Sequence, residues 1–122
     1  MQHVGIDIIE TSRISEAVER WGNSFLERIY TAAELERYRN HPQSLAARFA
    51  AKEAVIKVLG IRGKGIGYTQ IEILSDAGGK PTLRLYDQAK KCASVLGLTD
   101  IAVSLSHSRD YATAVAAGQS IH

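Results

Sequence analysis

The 122-residue sequence contains one cysteine, Cys92, and two prolines, Pro42 and Pro81. A lone cysteine cannot close an internal disulfide, and it excludes a multi-cysteine metal site. No stretch approaches the roughly 20 apolar residues of a membrane span, so no membrane partner is expected. The opening residues, Met1-Gln2-His3-Val4-Gly5-Ile6-Asp7, have neither the basic run nor the apolar core of an export signal, which predicts a cytoplasmic protein. A large excess of one charge is also missing: 15 Lys and Arg against 13 Asp and Glu leave +2. That balance suits phosphate-bearing or acidic partners and falls short of a nucleic-acid binder. What is present is ordinary globular composition, 45% hydrophobic and 23% charged. With no repeat or linker in view, the length predicts one domain over residues 1–122.

Residues 3–10 alternate Val4, Ile6 and Ile8 with Gly5, Asp7 and Ile9, a strand pattern that sets a carboxylate among apolar neighbours. Ser12 is placed to cap a helix whose stripe is Ile14, Ala17, Val18 and Trp21, with Trp21 expected in the core and Gly22 as the stop. Thr31 and Glu34 form a capping-box pattern for a short helix, and Pro42 suits the first turn of a longer one ending at Gly60. Residues 70–74 and 81–86 read as strands joined by the turn Asp76-Ala77-Gly78-Gly79-Lys80. A helix marked by Ala89, Cys92, Ala93 and Leu96 follows, with Cys92 there as packing, and strands are predicted at 101–106 and 111–117. The order strand, three helices, two strands, helix, two strands predicts an α+β domain.

The long helix carries the chemistry. At about 100° per residue, Leu45, Phe49, Ile56 and Leu59 share a face, and alanines at 46, 47, 50, 51 and 54 cover most of the rest. Protein is therefore expected all round it, which makes its charges conspicuous. Lys52 projects between Leu45 and Leu59, Arg48 lies near Val55, and Glu53 and Lys57 stack at i, i+4. A buried charge without a partner costs about several kcal/mol. Either Glu53 and Lys57 form a surface pair while Lys52 snorkels, or these cations surround an anionic ligand. Asp7 fits a salt bridge or a cap taken singly. Together, Asp7 and Glu53 offer the hard oxygens that Mg²⁺ combines with water and substrate phosphates. Zinc is disfavoured, because His3, His41, His107 and His122 lack ligand spacing. The glycine-rich run Arg62-Gly63-Lys64-Gly65-Ile66-Gly67 stands in helix-to-strand order, opposite to a Walker loop, and reads as a mobile wall of a pocket.

Three blocks in register carry a resemblance: Val4-Gly5-Ile6-Asp7-Ile8-Ile9-Glu10, Arg48-Phe49-Ala50-Ala51-Lys52-Glu53-Ala54 and Ser104-Leu105-Ser106-His107, with Gly79-Lys80-Pro81 between the last two. The sequence resembles the holo-[acyl-carrier-protein] synthase family, the small, trimeric type of 4'-phosphopantetheinyl transferase, over essentially its whole length. The resemblance implies that family's fold, a mainly antiparallel sheet packed on a long central helix. It implies Mg²⁺-dependent transfer of phosphopantetheine from coenzyme A to an acyl carrier protein serine, in support of fatty acid biosynthesis. It further implies a homotrimer with active sites at subunit interfaces.

Residue by residue, it implies catalytic Asp7, Glu53 and Lys57, with Asp7 and Glu53 on the metal. Arg48, Lys52, Lys57, Gly79, Lys80, Pro81, His107 and Ser108 would bind coenzyme A. Arg13, Arg20 and Arg28 would dock the carrier protein, although Glu16 and Glu19 interrupt that basic patch. The competing readings are a Mg²⁺-dependent hydrolase of a nucleotide diphosphate and a coenzyme A-binding protein without turnover.

Overall fold

The structure, a computed structural model, describes residues 1–60 and 65–120. The opening alternation folds as β1 (Gln2–Glu10) and is followed by four helices, α1 (Thr11–Trp21), α2 (Asn23–Ile29), α3 (Ala32–Tyr38) and α4 (Pro42–Leu59). A 3₁₀ turn (Tyr68–Gln70) leads into the hairpin β2 (Ile71–Ser75) and β3 (Pro81–Leu85). Then come α5 (Asp87–Val95), β4 (Leu98–His107) and β5 (Tyr111–Ser120). The class is α+β, as expected, with its strands in two antiparallel sheets, β1-β5-β4 and β2-β3.

Two local expectations need correction. Helix α2 was not anticipated: it buries only Leu26 and Ile29, too few apolar positions to show a period, and Gly22 at φ 54° both ends α1 and caps α2. Helix α1 starts before Ser12 and has no side-chain cap; the Thr11 N–H donates to Asp110 O at 2.8 Å instead, so the β4–β5 loop serves that end of the helix. The Thr31 capping box forms as expected, with Thr31 N–H on Glu34 Oε1 at 2.9 Å and Glu34 N–H on Thr31 Oγ1 at 3.2 Å.

Helix α4 is the spine. Buried residues lie on all its sides, and it packs on strands β1 and β5, where Ala112, Ala114 and Ala116 of β5 are buried. Small side chains on both surfaces let helix and sheet approach closely, which maximises dispersion contact per residue. Among the described residues no helix covers the other face of the sheet. Val4, Ile6 and Ile8 are 63%, 60% and 65% exposed, and Val115, paired with Ile6, is exposed beside them. Trp21 is not core either: it is 57% exposed, with the Arg20 guanidinium 5.0 Å from its ring. Among the described residues no helix is long and apolar enough to cross a membrane.

Candidate active site

Asp7 sits in the middle of β1, opposite Ala114, on the face that meets α4. Gly5 makes that meeting possible. A Cβ there would collide with the Ala54 carbonyl oxygen and lie 3.0 Å from both Ala54 C and Lys57 Cβ. Because the helix rests directly on the strand, Lys57 Nζ donates to Ile6 O at 2.8 Å and to Asp7 Oδ1 at 3.3 Å. Thr113 Oγ1 donates to Asp7 O at 2.8 Å and ties this point of β1 to β5.

One turn back along α4, Glu53 Oε1 accepts the hydroxyl of Tyr68 at 2.6 Å. The Tyr68 ring stacks on Phe49, centroids 5.4 Å apart. Burial, then the hydrogen bond to Glu53 and the fields of Glu53 and Asp7, push the Tyr68 hydroxyl up to about 12. It therefore keeps its proton at neutral pH and acts as a donor. Of the two readings, the Glu53–Lys57 surface pair does not form; Lys57 turns to β1 and Glu53 to Tyr68.

Among the described residues nothing donates to Asp7 Oδ2 or Glu53 Oε2. Two anionic oxygens free beside one lysine suit a hard cation that brings other oxygen ligands with it. No group of three or more His, Cys, Asp and Glu gathers among the described residues, so these carboxylates could supply only part of a coordination shell.

Lys52 and Arg48 do not belong to this cluster, against the expectation. Lys52 is fully buried and spends its ammonium protons on Glu34 Oε1 at 2.7 Å, Tyr68 O at 3.0 Å and Ile71 O. With three acceptors for three protons it has none left for a phosphate. Burial pushes its ammonium down while Glu34 pulls it back up. Arg48 is buried as well: Nε donates to Ile73 O at 3.1 Å, Nη2 to Ser75 Oγ at 2.9 Å, and the guanidinium lies 3.7 Å over Tyr38. Both side chains fasten β2 to α4.

The remaining expected ligand residues are spread out. Gly79, at φ 84°, and Lys80 form the exposed β2–β3 turn, whose amides at 78 and 80 donate to Asp76 Oδ1, and Pro81 pairs with Ser75, the partner of Arg48. His107 and Ser108 are exposed at the end of β4, where Gln43 Nε2 meets Ser108 O at 3.5 Å. Gln43 and Glu53 are ten residues apart on α4, roughly 15 Å of helix. Within one chain His107 and Ser108 therefore stand at the other end of α4 from Glu53. Arg62, Gly63 and Lys64 of the glycine-rich run lie outside the described residues.

Arg13 and Arg20 are exposed on α1 and line a cleft of about 360 Å³ with Glu16, Trp21, Phe25 and Phe49. Since Phe49 also carries Tyr68, this cleft borders the carboxylate site. Arg28 is exposed on α2, outside that lining. A larger opening of about 610 Å³ between α2 and α3 reaches Thr69 of the 3₁₀ turn and is not lined by Asp7 or Glu53. Sequence reasoning missed Tyr68 and the second job of Glu34. Tyr68 follows a glycine-rich stretch with no period to mark it, and the capping box already accounted for Glu34.

The sequence pattern of the 4'-phosphopantetheinyl transferase superfamily matches residues 3–116. The chain is 50% identical over 119 residues to the holo-[acyl-carrier-protein] synthase of Dehalococcoides mccartyi, covering 98% of this chain and 99% of that one. It is 49% identical over 121 residues to that of Herpetosiphon aurantiacus, covering 93% and 95%. Among solved structures, the Helicobacter pylori holo-[acyl-carrier-protein] synthase in complex with coenzyme A superposes with a TM-score of 0.85 at 30% identity, over 95% of this chain and 99% of that one. A Bacillus anthracis holo-(acyl-carrier-protein) synthase in complex with CoA (3',5'-ADP) gives 0.78 at 32%, over 97% and 96%.

Proposed function

This chain belongs to the 4'-phosphopantetheinyl transferase superfamily, and from that premise we propose that it moves 4'-phosphopantetheine from coenzyme A to a serine of apo acyl carrier protein. The observation that carries the reading is the pair Asp7 and Glu53 beside Lys57, each with one oxygen that nothing among the described residues donates to. The serine oxygen forms a bond to the phosphorus that bears the pantetheine arm as its hydroxyl proton passes to water, the bridging P–O bond of the pyrophosphate breaks, and 3',5'-ADP leaves. Such a transfer needs positioning and charge neutralisation more than covalent help. The exposed ammonium of Lys57 meets the negative charge that gathers on the leaving phosphate. Asp7 and Glu53 would hold Mg²⁺, which when bound neutralises and polarises phosphate oxygens.

The protein acts as one domain over residues 1–122, in the cytoplasm, on carrier proteins of fatty acid synthesis. It works as a homotrimer in which the apolar outer face of β1 is covered and a neighbouring copy brings nucleotide-binding residues, among Gly79, Lys80, Pro81, His107 and Ser108, to Asp7 and Glu53. Two observations support this: a contiguous apolar stripe is left in solvent by a single chain, and His107 and Ser108 lie at the other end of α4 from Glu53 within it. The carrier protein docks on α1 through Arg13 and Arg20, with Arg28 flanking.

The test is intact mass of apo acyl carrier protein after incubation with the protein, coenzyme A and Mg²⁺, beside an EDTA control and the variant Glu53→Gln. The expected result is a gain of one phosphopantetheine that both controls abolish. Free phosphopantetheine without a carrier adduct would replace transfer by hydrolysis. Coenzyme A binding with no product would leave a binding protein.

A further inference from the structure

Glu53 and Lys57 are one helical turn apart, and a Glu four residues before a Lys is a favourable helical pair. The structure does not use it. The Tyr68 hydroxyl takes Glu53 Oε1 at 2.6 Å, the short distance of a hydrogen bond to an ionised acceptor. Tyr68 itself is held from two sides. Its ring stacks on Phe49 of α4, and its carbonyl accepts from the fully buried ammonium of Lys52, which Glu34 of α3 fixes in turn. Glu34 Oε2 also accepts the Ile73 N–H at 2.8 Å, so the chain on the far side of the 3₁₀ turn is tied to the same carboxylate. Phe49 and Lys52 of α4, the latter fixed by Glu34 of α3, thus set the phenol against Glu53.

We propose that Tyr68 is a positioning residue for the reaction: its hydroxyl pins one oxygen of Glu53, holds the other toward the metal and phosphate position, and keeps Glu53 from neutralising Lys57. With Glu53 held, Lys57 stays with Asp7 and the incoming phosphate. This inference rests on the reading of Glu53 as a metal ligand in a phosphopantetheinyl transferase.

Tyr68→Phe tests it, because the ring can still stack on Phe49 and only the hydroxyl is lost. Two readouts are required: calorimetric binding of Mn²⁺ in the presence of coenzyme A without carrier protein, and steady-state transfer. The expected result is about a tenfold weaker Mn²⁺ affinity and about a tenfold lower kcat, each equivalent to ~1.4 kcal/mol. The KM for carrier protein and the melting temperature stay near wild type. Unchanged Mn²⁺ affinity in Tyr68→Phe overturns the proposal, whether kcat holds or falls together with stability. If the wild-type protein transfers nothing, the functional reading fails, while the Mn²⁺ arm still decides whether Tyr68 sets the carboxylate.

Discussion

Gly5 and Lys57 act as a pair. The missing side chain at 5 lets the backbone of α4 settle on β1, and that contact brings a lysine from the helix over an aspartate in the strand. Gly5→Ala would force a methyl group against the Ala54 backbone, which cannot move aside as a flexible side chain would. We expect a loss of about 1–3 kcal/mol, the usual range for overpacking, read by urea unfolding, with a fall in kcat as Asp7 and Glu53 move apart. Lys52 and Lys57 make the contrast within one residue type. They are five positions apart, so they point to different sides of α4; one is sealed among acceptors in the core and the other is half in solvent. The sequence announced that both were unusual, but only the surroundings distinguish a buried, fully partnered ammonium from an exposed one.

At the level of elements, α4 organises the molecule, and much of it was legible. Pro42 at its start, Gly60 at its end and alanines round its circumference predict a helix enclosed by protein, and that is how it packs. The destinations of its charges were not legible, because Glu34, Ile71 and Ile73 come from other parts of the chain. Lys52→Met should cost about 3–5 kcal/mol, the cost of leaving Glu34 as a buried carboxylate without its cation. The double variant Lys52→Met, Glu34→Gln should recover part of that loss in urea titrations, since no formal charge is then left unpaired. A single variant as stable as the wild type would show that the pair does not bear on folding.

For the whole molecule, the uncovered face of β1-β5-β4 is the largest departure from a self-sufficient domain. Alternation in β1 made both faces look apolar: Gly5 and Ile9 face α4, while Val4, Ile6 and Ile8 face out. Exposed apolar side chains in a row are the usual mark of a protein contact. Ile6→Glu should leave the isolated fold nearly unchanged, because surface substitutions typically stay within about 0.5 kcal/mol. It should abolish self-association in sedimentation velocity, and transfer should fall with it. A variant that sediments and transfers like the wild type would remove the outer face of β1 from the assembly.

The local signals were enough for the α+β class and nearly all the elements, because caps, breakers and periodicity act over a few residues and are written in neighbouring positions. Helix α2 escaped because seven residues with two buried side chains leave no period to read. Which charges are free and which are consumed was decided only by folding. Lys52 and Arg48 were drawn into the core by acceptors on β2 and α3, Tyr68 was brought to Glu53 from beyond the glycine-rich segment, and Lys57 was turned from its helical neighbour to a strand fifty residues away. The physical reason is common to all four. A charged or polar group settles where its hydrogen bonds are best satisfied, and in a folded chain those partners lie close in space and far apart in sequence.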